Sequence, residues 1–413
     1  MLEILKSDAK KIYEYAIENS LPDAAVEKAL SGLPKIKGRI FVVSIGKAAW
    51  QMAAKASELI GDRIEHAIVI TKYEHSKGAL PKFEIFEAAH PVPDENGIKA
   101  TRRALTLTEN LTPDDAVVFL VSGGGSALFE DVDCSLDELR DVTSQLLASG
   151  ASIGEINTIR KHLSNVKGGR FASHVYPAQI YGIVLSDVLG NSLDMIASGP
   201  AAPDSTTVND VETIVEKYSL HFSEKVMALL HRETPKNAPN AHHVISGSVS
   251  ELCACAADMA EQLGYKTVVL TDELTCEASA AGSLLGSVAK YHSESPESLA
   301  FIAGGETVVH IKGSGLGGRN QEIALAAADV ISDVSNVCVF SVGSDGTDGP
   351  TDAAGGYADA RTKARIEASG QSLSSYLLNN DSYHALTLSD GLIFTGATGT
   401  NVNDVSVVLI KKS

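Results

Sequence analysis

The sequence predicts an α/β protein with two domains, in which strands alternate with helices as in a doubly wound sheet. Three observations support this prediction. The chain has 413 residues, 44% of them hydrophobic and 21% charged, which is enough for two or three domains with sizeable cores. Short apolar runs rich in β-branched residues alternate with helical stretches, as in parallel sheets that are covered on both faces. One proline-containing segment without periodicity interrupts this alternation past the middle of the chain.

The first part of the chain contains an amphipathic helix and several predicted strands. Residues 1–20 have the helical pattern. A helix over 135–148 is indicated by Ser135 with Glu138 three residues later, which is a capping-box arrangement. Strands alternating with helices predict right-handed βαβ units. The predicted strands are non-alternating apolar runs: RIFVVSI (39–45), AIVI (67–70), AVVFLV (116–121) and YGIVLS (181–186).

The segment HRETPKNAPNAHH (231–243) is the best candidate for a domain boundary because it holds two prolines and no apolar period. We therefore expect domains at 1–237 and 238–413. In sheets of this kind, ligands bind beyond the carboxyl ends of strands, so glycine-rich loops after strands are the candidate sites. After the boundary the α/β pattern resumes with further apolar runs: HHVIS, KTVVL, LAFIA, TVVHI, VCVFSV and VSVVLI.

The charge balance excludes some classes of partner. Lys and Arg number 34, Asp and Glu number 52, and the net charge is −18. A field of this sign repels nucleic acid and anionic membranes. No apolar run approaches the roughly 18 residues that span a bilayer, and the N-terminus lacks a signal peptide's apolar block. Five scattered cysteines without zinc spacing are typical of a reduced compartment, so we expect a cytoplasmic protein.

The loop SIGKAA (44–49) follows the first strand and places Lys47 at the start of a helix. An ammonium beside exposed helix N–H groups is a good place for an anionic oxygen. A solvated lysine after an ordinary βα turn is the alternative. The loop is not a Walker A motif, since the required first glycine and the Ser or Thr after the lysine are absent.

The loop VSGGGSALFE (121–130) is more specific. Its three glycines leave backbone amides uncovered at the end of a buried strand, so a phosphate or carboxylate can approach closely. Two hydroxyl groups add donors. A loose turn is the alternative. The predicted anion-binding residues here are Ser122, Gly123, Gly124, Gly125 and Ser126.

Two later stretches carry charged candidates in the first domain. INTIRKHLSNVKGGR (156–170) gathers five basic residues, among them Arg160 and Lys167, and is either a cationic patch that binds substrate phosphate or the solvated face of a helix. LSDVLGN (185–191) places Asp187 at a strand end. An acid there could hold a metal or accept a hydroxyl proton, or it could cap the following turn.

Two glycine-rich loops stand out in the second domain. Residues 304–330 contain a G-x-G-x-x-G sequence, but Arg319 follows its last glycine and no acid follows at a strand end about 20 residues later, which disfavours dinucleotide binding. A guanidinium there better suits a carboxylate or a transferring phosphoryl group. In the acid-rich loop 342–359, Asp345 at the strand end is a candidate for Mg²⁺.

Taken together, these loops resemble the glycerate 2-kinase family whose C-terminal half is called the MOFRL domain. The matching stretches run in family order from about residue 40 to the C-terminus. They are SIGKAA, HPVPDENG (90–97), VSGGGSAL, INTIRKHLSNVKGG, LSDVLGNSLDMIASGPAAPDSTT, GGETVV, GLGGRNQEIAL, DGTDGPTDAAGG and TGTNVND.

The resemblance implies ATP- and Mg²⁺-dependent phosphorylation of D-glycerate at its 2-hydroxyl, giving 2-phosphoglycerate and ADP. It also implies two three-layer α/β/α domains, the first Rossmann-like with a mostly parallel sheet and the second with a mixed sheet, and a site in the cleft between them. The family's catalytic lysine and arginine correspond to Lys47 and Arg319 in this chain.

The residues support the same chemistry, because phosphoryl transfer needs mainly positioning and cations. Lys47 would neutralise the transferred group, and Arg319 would bind the γ-phosphate or the glycerate carboxylate. Asp187 and Asp345 are candidates for binding Mg²⁺ or for accepting the hydroxyl proton, and the sequence does not assign either role to one of the two residues. The main alternatives are an NAD(P)-dependent hydroxypyruvate reductase and a non-catalytic anion-binding module. The oligomeric state is open, and a homo-oligomer is compatible with the sequence.

Overall fold

The computed structural model describes residues 1–186 and 188–412, apart from the side chain of Leu189. The chain divides into two compact units. The first unit is Ala25–Ser246, and the second unit is Met1–Ala24 together with Gly247–Ser413. Within the described residues, none of the helices combines the length and the apolar composition that a membrane crossing requires.

The first unit is built on a sheet of six parallel strands in the order β3-β2-β1-β4-β5-β6. This is the strand order of the Rossmann fold, so the predicted Rossmann-like, parallel first sheet is confirmed. The strands are β1 (Ile40–Ile45), β2 (Ile64–Lys72), β3 (Phe83–Ala88), β4 (Ala116–Val121), β5 (Gln179–Val184) and β6 (Ala241–Ile245).

Helices cover both faces of this sheet, as the apolar runs predict. In β1, Phe41 and Val43 belong to one hydrophobic cluster and Val42 to another on the opposite face, because successive side chains point to opposite sides. The helix predicted over 135–148 forms with both capping-box bonds between Ser135 and Glu138. The helices are α2 (Pro22–Ser31, which begins in the second unit), α3 (Ala49–Ile60), α4 (Glu95–Leu107), α5 (Gly125–Leu128), α6 (Leu136–Ser149), α7 (Ile153–Leu163), α8 (Arg170–Val175), α9 (Val208–Lys217) and α10 (Glu224–Leu230).

The second unit has a six-stranded mixed sheet in the order β11-β10-β9-β12-β8-β7, as expected. Only β7 and β8 pair in parallel, whereas the other pairs are antiparallel. Its strands are β7 (Lys266–Leu274), β8 (Leu299–Gly305), β9 (Val337–Gly343), β10 (Gly355–Asp359), β11 (Leu392–Ile393) and β12 (Asp404–Ile410). Its helices are α1 (Leu2–Asn19), α11 (Val249–Gln262), α12 (Ala278–Tyr291), α13 (Arg319–Val330), α14 (Thr362–Glu367), α15 (Leu373–Leu378) and α16 (Ser382–Ser389).

The units differ from the predicted domains at two places. The helix α1 belongs to the second unit, because Tyr13 packs edge-on against Phe340 of β9 at 6.1 Å and Asp8 accepts a hydrogen bond from Tyr265 at 2.7 Å. The strand β6, which the sequence boundary places after the linker, pairs with β5 and completes the first sheet. Both differences rest on long-range packing that the local pattern does not contain.

Candidate active site

The loops after β1 and β4 lie at the point where the strand order of the first sheet reverses. From β1 the chain proceeds outward to β2 and β3, and β4 then pairs with the other edge of β1. In open parallel sheets, ligands bind at the carboxyl ends of the strands at such a switch point. The loop carrying Lys47 and the loop 122–126 are therefore adjacent, as their positions after strands predict.

Hydrogen bonds lock these two loops together. The backbone N–H of Lys47 donates to the Gly123 carbonyl at 2.8 Å, and the N–H of Ala48 donates to Ser122 Oγ at 3.1 Å. Gly46 has φ +112°, and a Cβ at that position would collide with Ser122. The Lys47 side chain is exposed and forms no ion pair with any residue that the structure describes. Its ammonium is therefore available to bind an anion.

The glycine loop exposes backbone donors beside this lysine. Among the described residues, the N–H groups of Gly123, Gly124 and Ser126 have no acceptor. Gly124 has φ +87°, a left-handed conformation that glycine adopts without strain. Successive uncovered amides of this kind form a concave anion-binding surface. Of the five predicted residues, Ser122 instead holds the lysine loop, and the Gly125 N–H donates to the Ser122 carbonyl.

His90, in the loop after β3, also borders this surface. A Cβ built on Gly124 would lie 3.2 Å from His90 Nε2 and 3.3 Å from Lys47 Cγ. Burial lowers the pKa of the half-buried His90, and the positive charges of Lys47 and Lys72 lower it further. His90 opens the HPVPDENG stretch, and no role was predicted for it from the sequence. The sequence carries no strand signal before His90, because β3 lacks a continuous apolar run.

A second loop, residues 195–200, supports the hydroxyl of Ser126. Ser126 Oγ lies 3.0 Å from Ser198 Oγ, which in turn donates to Asn157 Oδ1 at 3.0 Å. Ala197 and Ser198 have φ values of 52° and 59°, a strained conformation for residues with a Cβ. Such strain is typical of functional sites, and the sequence carries no direct signal of it.

The prediction that Lys167 binds substrate phosphate is wrong. Its side chain is fully buried, and its ammonium donates to Glu130 Oε2 at 2.8 Å and to the Phe129 carbonyl at 2.9 Å. Burial lowers the pKa of Lys167, and the adjacent Glu130 carboxylate opposes this effect. The lysine therefore has a structural role in the core.

The rest of the basic stretch 156–170 includes a buried, ion-paired lysine and a half-buried arginine. Lys161 is buried in ion pairs with Asp194 at 2.9 Å and Asp204 at 3.1 Å. Arg160 is half-buried and has no hydrogen bond or ion pair with the described part of the chain, so its role in anion binding stays a prediction. The other candidate in this unit, Asp187, lies outside the described residues.

In the second unit, Arg319 is the first residue of α13 and is already ion-paired. Its guanidinium contacts Asp404 twice, with Nε to Oδ2 at 2.5 Å and Nη2 to Oδ1 at 3.1 Å, and Nη1 reaches Glu306 Oε1 at 3.0 Å. Burial alone would lower the pKa of Arg319, but the hydrogen bonds and charge of Asp404 raise it above its ordinary value. The guanidinium is held rigidly at the carboxyl end of β8 and the start of β12.

The glycine motif before Arg319 does not form a dinucleotide loop. Its backbone N–H groups donate to side chains of the 379–381 loop: Gly313 to Asn380 Oδ1 at 3.0 Å, and Leu316 to Asp381 Oδ1 at 3.0 Å. The N–H of Gly315 donates to the Asn379 carbonyl at 2.9 Å. These donors are therefore unavailable to a pyrophosphate, and the glycines serve close backbone packing.

Asp345 is suited to bind Mg²⁺ through one carboxylate oxygen. It lies after β9, and its Oδ1 accepts hydrogen bonds from the N–H of Thr347 at 2.9 Å and the Thr347 hydroxyl at 3.1 Å. Its Oδ2 has no partner among the described residues. Residues 1–186 and 188–412 contain no group of three or more side chains that could hold a metal ion.

Asp348 caps the N-terminus of α13. It accepts hydrogen bonds from the backbone N–H of Asn320 at 3.1 Å and of Gln321 at 2.8 Å. The carboxylate is buried, and desolvation raises its pKa to about 6 despite these two bonds. With a pKa of about 6, Asp348 changes its charge in weakly acidic solution, and the positive charge of Arg319 favours the ionised form.

The Asp348→Asn variant is expected to lose a pH dependence that the wild type shows. A carboxyl group whose folded-state pKa is raised from 3.8 to about 6 binds its proton more tightly in the folded chain, so its ionisation lowers the free energy of unfolding as pH rises through this window. The effect reaches roughly 3 kcal/mol. Chemical unfolding at about pH 4 and pH 7, followed by far-UV circular dichroism, measures it. Equal pH slopes for the two proteins would contradict the prediction.

Comparison with known proteins gives consistent matches along the chain. Two family models match: the domain of unknown function DUF4147 over residues 8–231 and the MOFRL family over residues 299–404. The Thermotoga maritima protein named D-glycerate 2-kinase is 50% identical over 415 residues, covering 99% of each chain. The Pyrococcus horikoshii protein named glycerate 2-kinase is 39% identical, covering 91% of this chain and 88% of its own.

The chain is also similar to a protein of known structure and to a relative that has a different name. The crystal structure of glycerate kinase from Thermotoga maritima matches with a TM-score of 0.94 and 49% identity, covering 99% of this chain and all of its own. A protein of Agrobacterium vitis named putative hydroxypyruvate reductase is 36% identical, covering 97% of this chain and 93% of its own. On the two family models and the higher identities, the chain belongs to the glycerate 2-kinase family with a C-terminal MOFRL domain.

Proposed function

We propose that this protein transfers the γ-phosphoryl group of ATP to the 2-hydroxyl of D-glycerate, giving 2-phosphoglycerate and ADP. One observation supports this most directly. At the switch point of a sheet with Rossmann strand order, the Lys47 ammonium has no ion pair with a described residue, and three backbone N–H groups of the neighbouring loop have no acceptor among those residues. The protein is a glycerate 2-kinase by family. Its reaction needs a cationic, amide-lined anion site of this kind.

Within this proposal, Lys47 neutralises the negative charge on the phosphoryl oxygens. The N–H groups of Gly123, Gly124 and Ser126 bind one anionic group, either a phosphate or the glycerate carboxylate. Arg160 adds a cation on the same unit. Because the lysine and glycine loops are hydrogen-bonded to each other, these donors are preorganised and need little rearrangement during the reaction.

Arg319 has a more constrained role. A guanidinium has five N–H groups, and three of them donate to Asp404 and Glu306. Two remain for an anion, and the bidentate pair with Asp404 fixes their direction. That Arg319 and Lys47 act on the same triphosphate stays a prediction, tested by comparing the activity of the two single variants with that of the double variant.

For magnesium, we propose Asp345 as a ligand, through the carboxylate oxygen that Thr347 does not occupy. A bound Mg²⁺ would neutralise charge on the ATP phosphates. The assignment of Asp187 as a ligand or proton acceptor stays a prediction, as do the cytoplasmic location and a homo-oligomeric state.

The test is incubation of the protein with ATP, Mg²⁺ and D-glycerate. We expect ADP release that depends on glycerate, and ³¹P and ¹³C NMR spectra that place the phosphate on C2. Phosphate on C3 would keep the kinase activity and contradict the regiochemistry. ATP hydrolysis without glycerate dependence would contradict the proposed function.

The reductase named among the relatives is tested in parallel. Oxidation of NADH in the presence of hydroxypyruvate, followed by absorbance, would support it. We expect none, because the loop after β1 lacks the glycine pattern of a dinucleotide site and the amides of the later glycine motif bond to residues 379–381.

A further inference from the structure

We propose that His90 is the general base of the reaction: its Nε2 takes the proton of the glycerate 2-hydroxyl as that oxygen attacks the γ-phosphorus. This inference rests on the proposed function. It assigns a role to a residue outside the lysine, arginine and aspartate residues considered so far.

The position of the imidazole is the first support. The Nε2 atom lies on the side of the ring that faces Gly124, since a Cβ at that glycine would be 3.1 Å from Cδ2 and 3.2 Å from Nε2. The same Cβ position at Gly124 would be 3.3 Å from Lys47 Cγ. The ring therefore borders both the lysine and the uncovered amides that would bind the reacting groups.

The lack of a partner is the second support. His90 forms no hydrogen bond through its ring within the part of the chain that the structure describes. Three other histidines of the first unit have fixed backbone partners: His75 bonds to the Lys47 carbonyl at 3.0 Å, His174 to the Leu105 carbonyl at 3.0 Å, and His243 to the Ala201 carbonyl at 2.9 Å. A half-buried imidazole without such a partner retains a nitrogen lone pair for substrate.

The electrostatic surroundings keep this imidazole neutral. The charged and titratable groups that act on His90 are Lys47 from the loop after β1, Lys72 from β2 and His75 from the loop after β2. Together with burial, they lower the pKa of His90 below its ordinary value of 6.5. At neutral pH the ring is therefore a proton acceptor, which a general base must be.

The proposed step balances in atoms and charge. The O–H bond of the 2-hydroxyl breaks as the bond from that oxygen to the γ-phosphorus forms. The bond from the γ-phosphorus to the bridging oxygen breaks, and ADP leaves with that electron pair. The proton goes to His90 Nε2 and from there to water when the product leaves. The imidazolium forms beside a negatively charged phosphoryl group, which stabilises it.

The test compares pH–rate profiles of the wild type, His90→Gln and His90→Asn with saturating ATP and D-glycerate. We expect kcat of both variants to fall by about 10²–10⁴-fold. The KM for ATP should change only a few-fold. The wild-type kcat should fall at acid pH as His90 is protonated, and this acid limb should disappear in both variants. A purely structural role would lower stability without removing the limb.

His66→Gln is the matched control, because it removes an exposed imidazole from β2 of the same unit and should leave rate and profile unchanged. Circular dichroism of each variant verifies folding. Two substitutions at His90, with side chains of different length, are used so that the test still works if one variant misfolds.

If a folded His90 variant keeps wild-type kcat and the acid limb, the inference is wrong. It is also wrong if Asp187→Asn removes the limb while the His90 variants retain it. If the wild type shows no glycerate-dependent ADP release, the proposed function itself fails.

Discussion

Replacing Lys47 with alanine is expected to lower kcat/KM for ATP and D-glycerate by about 10³-fold or more. Cationic side chains that stabilise a transferring phosphoryl group contribute roughly 10³–10⁵ in rate. Lys47 is exposed and has no ion pair with a described residue, so its removal leaves no buried charge and should not change the fold. A coupled assay of ADP release measures the effect, and thermal unfolding monitors stability.

Two further variants sharpen this test. Lys47→Arg retains the charge but not the shape of the ammonium, so we expect intermediate activity. Lys99→Ala removes an exposed lysine from α4 of the same unit and should behave as the wild type. Turnover of Lys47→Ala within a few-fold of wild type would remove the lysine from the mechanism.

Replacing Lys167 with methionine is expected to lower the free energy of unfolding by about 3–5 kcal/mol, because it leaves the Glu130 carboxylate buried without its cation. Both side chains are almost fully buried, so water cannot take the place of the missing ammonium. Trp50 is the only tryptophan of the chain and lies in the same unit, so its fluorescence during chemical denaturation reports on this unit.

The double variant Lys167→Met, Glu130→Gln is the control for this effect. It removes both charges, so we expect it to be more stable than Lys167→Met alone, with a favourable coupling energy between the two changes. Loss of less than about 1 kcal/mol in the single variant would show that Glu130 finds another partner or is protonated at little cost.

The fold could be predicted from the sequence to a large extent, since its signals are local. The apolar runs at 39–45 and 116–121 became the adjacent central strands β1 and β4, and the capping residue Ser135 begins α6. The edge strand β3 was not predicted. Its side chains are only partly buried, so it lacks the continuous apolar run that marks the central strands.

The candidate site could be predicted only in part. The loops of Lys47 and Ser122–Ser126 follow neighbouring strands, and the parallel sheet brings their ends together. His90, by contrast, is 34 positions from Gly124 in the sequence and meets it only through the pairing of β2 with β3 and β1. Ser198 reaches Ser126 through a strained loop that local propensity disfavours.

By itself, the sequence determined the fold class, the family and the glycine-rich loops at strand ends, because strand periodicity and turn residues act over a few positions. Only the tertiary structure decided what each basic side chain does. Lys47 and Lys167 both lie next to glycines in the sequence. In the structure, Lys47 is exposed beside amides that no described residue accepts from, whereas Lys167 is paired with Glu130 in the core. The physical reason is that desolvation and charge pairing depend on partners far along the chain, which local patterns do not specify.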